Sequence, residues 1–229
     1  MILNVSKLNK FIGSKELFED LNFVINENEK VALIGKNGSG KTTLFRILDG
    51  EEKEYQGLVE YRTGLKIILT KQEHFLDNSI SALDYILNDL PEYIELKEVL
   101  SKYELHGEGS DISLEEYCDA VNVFGEKGYY DIESEILITL EEFQIPESRA
   151  RSPMKGLSGG EKRFVEIVRI MYSECDLALL DEPTNHLDLP SIEELENVLN
   201  NFKGGIIYVS HDSYFVNEIG GEEILISSD

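Results

Sequence analysis

The chain has 229 residues, 41% of them hydrophobic, and it carries a net charge of −24. Its length allows one domain with a full core and a small subdomain, and no apolar run approaches the roughly 20 residues that a membrane-crossing helix needs. The N-terminus lacks the charged-then-apolar layout of a signal peptide, so we expect a cytoplasmic protein. So acidic a chain repels RNA and anionic lipid head groups, whereas a basic partner surface remains possible.

Strand-like runs dominate the first part of the chain and predict strands at residues 2–8, 17–25, 31–34, 57–61 and 65–69, with a helix at 42–48. From about Ser79 to Gln144, apolar residues recur at three- and four-residue spacing, which predicts helices. Helices and strands alternate again from Leu157, with strands of the buried, parallel type at 177–180 and 206–209 and a last strand at 223–227. This order predicts an α/β core, formed by 1–78 and 157–229, with a helical insertion at 79–156.

Residues 35–42, Gly-Lys-Asn-Gly-Ser-Gly-Lys-Thr, match the phosphate-binding pattern G-x-x-x-x-G-K-[ST]. They follow an apolar strand and precede a helix, which is the context that the pattern requires. Glycines let backbone N–H groups turn inward around phosphate oxygens, and the helix N-terminus adds its positive dipole. The residues predicted to bind a nucleotide here are Gly35, Asn37, Gly38, Ser39, Gly40, Lys41, Thr42 and Thr43.

Two carboxylates, Asp181 and Glu182, end the apolar strand that begins at Leu177. Asp181 can hold Mg²⁺, directly or through water, beside the hydroxyl of Thr42. Glu182 can polarise an attacking water as general base. The alternative is a strand that ends in an ordinary polar turn, and a phosphate-binding loop in the same chain disfavours it.

The segment Leu157–Glu161 reads Leu-Ser-Gly-Gly-Glu and precedes a predicted helix that runs to about Tyr172. A serine N-cap flanked by glycines explains the local pattern but not its combination with the other two motifs. With all three motifs, the chain resembles the ATP-binding-cassette (ABC) ATPases. In that family the signature loop binds the γ-phosphate held by a second cassette, and the resemblance assigns this role to Ser158, Gly159 and Gly160.

The resemblance covers nearly the whole chain. It implies an ABC-type P-loop NTPase fold, in which a mixed or parallel sheet with flanking helices is joined by an antiparallel β subdomain and a helical subdomain. It also implies ATP and Mg²⁺ as ligands. Gln72 falls at the Q-loop, as a catalytic and Mg²⁺-binding residue. His211 falls at the switch histidine, as a catalytic residue, and Phe11 where an aromatic ring stacks on adenine. As alternatives, Gln72 is an ordinary polar residue, His211 caps its strand, and Phe11 belongs to the core.

Two features favour the ABC-F branch, which comprises soluble tandem-cassette ATPases that act on ribosomes. The sequence Thr-Asn-His-Leu-Asp follows Pro183, and the interval between Gln72 and Leu157 is longer than we expect in transporter cassettes. Phe164, Glu166 and Cys175 depart from the family pattern, where arginine, a small apolar residue and proline are usual. These departures concern the packing of the signature helix and not the primary catalytic groups.

ABC-F proteins join two cassettes by a basic helical linker, so we expect this chain to be a first cassette. The alternative is a natural single-cassette subunit. The implied partners are a second cassette, from the same protein or a homodimer, and the ribosome or its RNA through the full-length protein. The alternative function is the ATP-binding subunit of a membrane transporter, which requires a membrane partner. A chromosome-organising or DNA-repair ATPase is disfavoured because the sequence has no heptad run.

Overall fold

A computed structural model describes residues 1–13, 15–70, 79–109, 111–185 and 187–226. The strands in this part of the chain are β1 (Leu3–Ile12), β2 (Lys15–Ile25), β3 (Lys30–Ile34), β4 (Gln56–Tyr61), β5 (Ile67–Leu69), β6 (Leu177–Asp181), β7 (Gly205–Val209) and β8 (Glu222–Leu225). The helices are α1 (Lys41–Leu48), α2 (Ala82–Leu87), α3 (Pro91–His106), α4 (Leu114–Glu126), α5 (Ile132–Glu142), α6 (Glu147–Ala150), α7 (Gly159–Tyr172), α8 (Leu189–Asn201) and α9 (Ser213–Ile219). The chain folds into two compact units, one made of Met1–Phe75 with Glu174–Asp229 and the other of Leu76–Ser173.

The first unit contains a parallel sheet in the order β5-β6-β7-β3-β8. Strands β6 and β7 are buried at every position, which explains why their sequences are almost continuously apolar. The register pairs Asp181 with Val209, so β6 and β7 end level with each other. In open parallel sheets, ligands bind beyond the carboxyl ends of the strands. The segments that follow β3, β6 and β7 are the phosphate-binding loop, Glu182 and His211.

A second, antiparallel sheet in the order β2-β1-β4 belongs to the same unit. Strands β1 and β2 form a hairpin whose last pair is Ile12 with Lys15. Its inner face joins helix α1 and the parallel sheet in one hydrophobic core, to which Leu8, Phe18 and Phe45 each contribute a buried side chain. The antiparallel sheet therefore fixes the hairpin beside the start of α1.

The second unit is helical. Serine side chains accept backbone N–H groups at the starts of α2, α4 and α7, as good N-caps do. The ring of Phe164 stacks on Phe143 with 4.5 Å between ring centroids, so one of the three residues that depart from the family pattern is a core residue here. An aromatic cluster of Tyr93, Phe124 and Tyr129 packs the α3 and α4 end of the unit.

The predicted α/β class, with a parallel sheet, an antiparallel subdomain and a helical region, is confirmed. The division of the chain differs from the predicted one. The helical unit ends at Ser173, whereas the sequence analysis ended the insertion at 156 and assigned 157–229 to the core. The reason is helix α7, whose buried residues pack on α2 and α5 of the helical unit.

Candidate nucleotide-binding site

The loop between β3 and α1 has the backbone geometry that its glycines allow. Gly38 and Gly40 have φ angles of 78° and 102°, in the left-handed region. A Cβ atom at position 40 would lie 3.1 Å from the ring of Phe18, and one at position 35 would lie 2.6 Å from the carbonyl oxygen of Ile226. The loop is therefore closely packed against its own unit, and its N–H groups lead into the start of α1.

The Lys41 side chain is only 8% exposed and lies back along this loop. Its ammonium donates hydrogen bonds to the carbonyl oxygens of Gly35, at 2.8 Å, and Lys36, at 3.1 Å. An ammonium has three N–H bonds, so a phosphate oxygen can accept the third. Ser39 adds a buried hydroxyl that has no hydrogen-bond partner among the described residues. Both groups fit an anion held in the loop.

The side chains of the predicted Mg²⁺ ligands Thr42 and Asp181 are in contact. The Thr42 hydroxyl donates to Asp181 Oδ2 at 2.9 Å, and the Asp181 N–H donates to the hydroxyl of Thr70 at 3.1 Å. In the described part of the chain, no group of three or more His, Cys, Asp or Glu side chains is arranged to hold a metal. Mg²⁺ usually keeps several waters and takes one or two protein oxygens together with substrate phosphates. The Thr42–Asp181 pair fits an ion that arrives with a nucleotide.

Glu182 lies in the turn after β6 with a φ of 51°, which is uncommon for a residue other than glycine. Its N–H donates to the carbonyl oxygen of Val209 at 3.0 Å. Its carboxylate Oε1 lies 3.1 Å from His211 Nε2, and the same nitrogen lies 3.0 Å from Asn37 Oδ1. The structure thus brings together a carboxylate, a histidine and the phosphate-binding loop from three separate turns.

Glu182 and the phosphate-binding loop line a cavity of about 520 Å³. Its lining residues are Ile12, Lys15, Leu17, Asn37, Gly38, Gly40, Lys41, Thr42, Thr43, Asp181 and Glu182. Three of them, Ile12, Lys15 and Leu17, come from the β1–β2 hairpin and were not predicted from the sequence. Lys15 donates to the carbonyl oxygen of Gly38 at 3.3 Å, so the hairpin contacts the loop directly. No sequence motif marks these hairpin residues.

Phe11, predicted to stack on adenine, is 45% exposed and is not among the described residues that line this cavity. Its neighbour Ile12 does line the cavity. Successive strand residues point to opposite faces, so a difference of one position separates a lining residue from a non-lining one. The adenine contact of Phe11 stays a prediction, and Ile12 is a second candidate for it. Gln72, predicted as a catalytic and Mg²⁺-binding residue, lies outside the described residues.

The signature segment belongs to the helical unit. Ser158 is the N-cap of α7, where its hydroxyl accepts the N–H of Glu161 at 3.3 Å and its own N–H donates to the Glu161 carboxylate at 2.7 Å. Burial alone raises the pKa of Glu161, but the hydrogen bonds from Ser158 and the charge of Arg149 bring that pKa below its usual value. Gly159 and Gly160 form the first turn of α7. The loop therefore forms a capped helix start, and its binding of a partner's nucleotide stays a prediction.

Residues 18–185 match the protein-family model described as ABC transporter. The chain is 33% identical over 221 residues to YkpA of Bacillus subtilis, an uncharacterized ABC transporter ATP-binding protein, covering 95% of this chain and 40% of YkpA. It is 31% identical over 226 residues to the ribosome protection protein VmlR of the same organism, covering 99% of this chain and 34% of VmlR. It is 27% identical over 225 residues to the energy-dependent translational throttle protein EttA of Haemophilus influenzae, covering 96% of this chain and 40% of EttA. The chain thus spans 34–40% of the length of these relatives.

Solved structures with the same fold include the ATP binding subunit of an ABC transporter. That structure has a TM-score of 0.68 and 20% identity, covering 98% of this chain and 85% of its own. A dimeric bacterial ABC transporter cassette, MJ0796, has a TM-score of 0.69 and 21% identity, covering 98% of this chain and 95% of its own. These likenesses confirm the predicted ABC-type P-loop fold. Among the described helices, none has the length and apolar character to cross a membrane.

Proposed function

This chain belongs to the ABC transporter family, and we propose that it hydrolyses ATP as one cassette of a protein that acts on the ribosome. ATP hydrolysis is supported by one observation: the turns that follow β3, β6 and β7 lie close together at one edge of the parallel sheet. There the Thr42–Asp181 hydrogen bond lies beside the contact of His211 with Glu182 and Asn37.

Each group has a task that its geometry supports. Lys41 and the loop N–H groups hold the β- and γ-phosphates, and Thr42 with Asp181 holds the Mg²⁺ that neutralises phosphate charge. Glu182 accepts a proton from water while the water oxygen bonds to the γ-phosphorus. The bond from that phosphorus to the β–γ bridging oxygen breaks, so ADP and inorganic phosphate leave. His211 Nε2, within hydrogen-bond distance of Glu182, orients the carboxylate as a positioning residue.

The ribosomal part of the proposal is supported by relatives named for ribosome protection and for translational throttling. Those proteins are longer than this chain, so a second cassette is a proposed partner that would complete the nucleotide site with its own signature loop. Action on the ribosome would make the protein cytoplasmic. The competing function is the ATP-binding subunit of a membrane transporter, which the family description and the solved transporter subunit favour. The full gene separates them, because a second cassette supports the ribosomal role and a neighbouring membrane-subunit gene supports transport.

Glu182→Gln tests the hydrolytic mechanism. Because Lys41, Thr42 and Asp181 remain, Mg-ATP binding should be unchanged by calorimetry, while phosphate release should fall by at least about 10²-fold, since the amide cannot accept the proton. Glu194→Gln, which removes the same charge from an exposed position on α8, is the control and should hydrolyse at the parent rate. A Glu182→Gln protein with the parent rate would remove Glu182 from its role.

The ribosomal role has a separate readout. In the full-length protein, Glu182→Gln should trap ATP and increase the amount of protein that sediments with ribosomes when Mg-ATP is present. If hydrolysis is lost but ATP never promotes ribosome binding, the chemistry stands and the ribosomal role is wrong.

A further inference from the structure

Asn37 is followed by Gly38 in the phosphate-binding loop, and this is the one Asn-Gly pair in the sequence. The backbone nitrogen that follows an asparagine can attack the carbonyl carbon of the asparagine side chain, which closes a five-membered imide ring and expels ammonia. A side chain on the following residue hinders this attack, whereas glycine has none. The sequence therefore places an asparagine that is chemically labile in the loop proposed to hold the nucleotide.

The folded loop leaves the attacking nitrogen accessible. Asn37 and Gly38 are both exposed, and the Ser39 N–H donates to the carbonyl oxygen of Lys36 at 3.1 Å, which closes a turn around the pair. A Cβ atom at position 38 would meet nothing within 4 Å, so the space beside this glycine is open. Within the ranges that the structure describes, no group accepts a hydrogen bond from the Gly38 N–H. The nitrogen is therefore neither covered nor held by another part of the described fold.

The structure adds an activating group from a different segment. His211 Nε2 lies 3.0 Å from Asn37 Oδ1 and 3.1 Å from Glu182 Oε1. An amide oxygen and a carboxylate oxygen can only accept hydrogen bonds, so Nε2 carries the hydrogen. A donor on Oδ1 polarises the Asn37 side-chain carbonyl and stabilises the negative charge that this oxygen gains when a nucleophile attacks the carbon, as an oxyanion-hole donor does. The histidine therefore makes the Asn37 side chain a better target for the Gly38 nitrogen.

We propose that Asn37 is a site of spontaneous deamidation, promoted by His211, and that its conversion weakens nucleotide binding. The Gly38 nitrogen bonds to Asn37 Cγ, the bond from Cγ to Nδ2 breaks, and the amide proton of Gly38 leaves with Nδ2 as ammonia. Water then opens the imide ring. Cleavage at Cγ leaves an aspartate at position 37, and cleavage at the backbone carbonyl leaves an isoaspartate, in which the main chain runs through the side-chain carbon.

The consequence for ATP rests on the proposed function, whereas the conversion itself does not. Either product places a new carboxylate in the phosphate-binding loop, on the side where Glu182 and Asp181 already line the cavity. A further negative charge there repels the phosphates of a nucleotide. The isoaspartate also adds a carbon atom to the main chain between the carbonyl of Lys36 and the N–H of Ser39, so their hydrogen bond cannot keep its geometry.

The conversion is measured without nucleotide. The purified protein is incubated at mildly alkaline pH, and mass spectrometry of its proteolytic peptides follows the replacement of each asparagine amide by a carboxyl group. Asn37 should convert well before Asn122, which is also exposed but is followed by valine. His211→Ala should slow conversion by about 3- to 10-fold, the effect of one hydrogen bond. His106→Ala, which removes an exposed histidine elsewhere, should leave the rate unchanged.

Two results would overturn the proposed chemistry. A synthetic peptide of residues 33–43 measures the reactivity of the sequence alone; if this peptide converts while the folded protein keeps Asn37 intact, the fold protects the site. Equal conversion rates in His211→Ala and in the parent would show that the histidine does not promote the reaction.

Asn37→Asp tests the consequence for the nucleotide. In calorimetry it should weaken Mg-ATP binding by at least about 5-fold, which is the effect of a unit charge about 4 Å away even in the dielectric of water. Asn122→Asp adds the same charge at an exposed position on α4 and should change the affinity by less than about 2-fold. Equal affinities of Asn37→Asp and the parent would overturn the proposed loss of binding. A parent that does not bind ATP would instead contradict the proposed function, and the measured conversion of Asn37 would be unaffected.

Discussion

Arg169→Met should destabilise the protein strongly, because Arg169 neutralises a buried carboxylate in the helical unit. The Arg169 side chain is 10% exposed and that of Glu166 on the same helix is 1% exposed. The guanidinium donates to Glu166 at 3.1 Å, to the Tyr85 hydroxyl at 3.2 Å and to Asp89. The Tyr85 hydroxyl in turn donates to Glu166. These four side chains join α7 to α2 and to the residues that follow it.

The expected magnitude follows from what the substitution leaves behind. Methionine fills much of the arginine volume, but it removes the guanidinium that neutralises the buried Glu166 carboxylate, to which the Tyr85 hydroxyl still donates. Removing one partner of a buried ion pair typically costs about 3–5 kcal/mol. The double variant Glu166→Leu/Arg169→Met removes both charges, and we expect it to regain most of that loss, so the two substitutions should be strongly non-additive.

Urea unfolding measures the free energy of unfolding of both variants. The chain contains no tryptophan, so far-ultraviolet circular dichroism is the appropriate probe. An unchanged slope of unfolding free energy against urea would show that the midpoints compare stabilities directly. Arg151→Met is the matched control, because its side chain is 48% exposed in its pairs with Glu147 and Glu133, and it should cost at most about 1 kcal/mol. A loss below about 1 kcal/mol for Arg169→Met, or a double variant no more stable than the single one, would refute this reasoning.

Three further predictions concern the nucleotide and the core of the first unit. Lys41→Ala should lose nearly all Mg-ATP binding in calorimetry, because it removes the ammonium from the phosphate-binding loop; unchanged affinity in a folded variant would contradict this. Ser158→Arg should leave ATP affinity unchanged but lower turnover and its dependence on protein concentration, since the serine is proposed to serve a partner's nucleotide; an active monomer indifferent to the substitution would contradict the shared site. Burial raises the pKa of Tyr208 to about 12, above the value near 10 of an unfolded tyrosine. The stability contributed by the buried, protonated Tyr208 is therefore complete below pH 10 and is lost as the pH rises towards 12. Alkaline unfolding of Tyr208→Phe should therefore depend less steeply on pH over that interval than unfolding of the parent.

The sequence predicted the parts of the site that depend on short motifs. Residues 35–42 specify their own turn through glycines, and Asp181 and Glu182 end a strand whose apolar run marks it as buried. Parallel pairing of β6 and β7 then brings these groups near His211. In each case local residues determine the backbone conformation, and the sheet topology determines which of these segments lie next to each other.

The residues that sequence reasoning missed depend on contacts between distant segments. Lys15 reaches Gly38 only after the β1–β2 hairpin has closed on the loop. In that hairpin the register shifts between Lys10 and Phe11, and such irregularities change which side chain faces a given side. The choice between Phe11 and Ile12 as a cavity residue therefore cannot be made from alternation alone. Glu166 was recognised as unusual, but its partner Tyr85 lies on another helix, far away in the sequence.

Contacts from other parts of the fold hold Glu182, which the sequence motif identifies, in its position. Its left-handed backbone costs on the order of 1 kcal/mol or more, and the hydrogen bond from its N–H to Val209 helps to hold it. Because β6 and β7 end level, the same arrangement brings His211 within 3.1 Å of the Glu182 carboxylate. The His211 nitrogen also lies 3.0 Å from Asn37, so one ring atom contacts both the proposed base and the loop proposed to hold the γ-phosphate. A movement of that loop would therefore change the contacts of His211 with both Asn37 and Glu182.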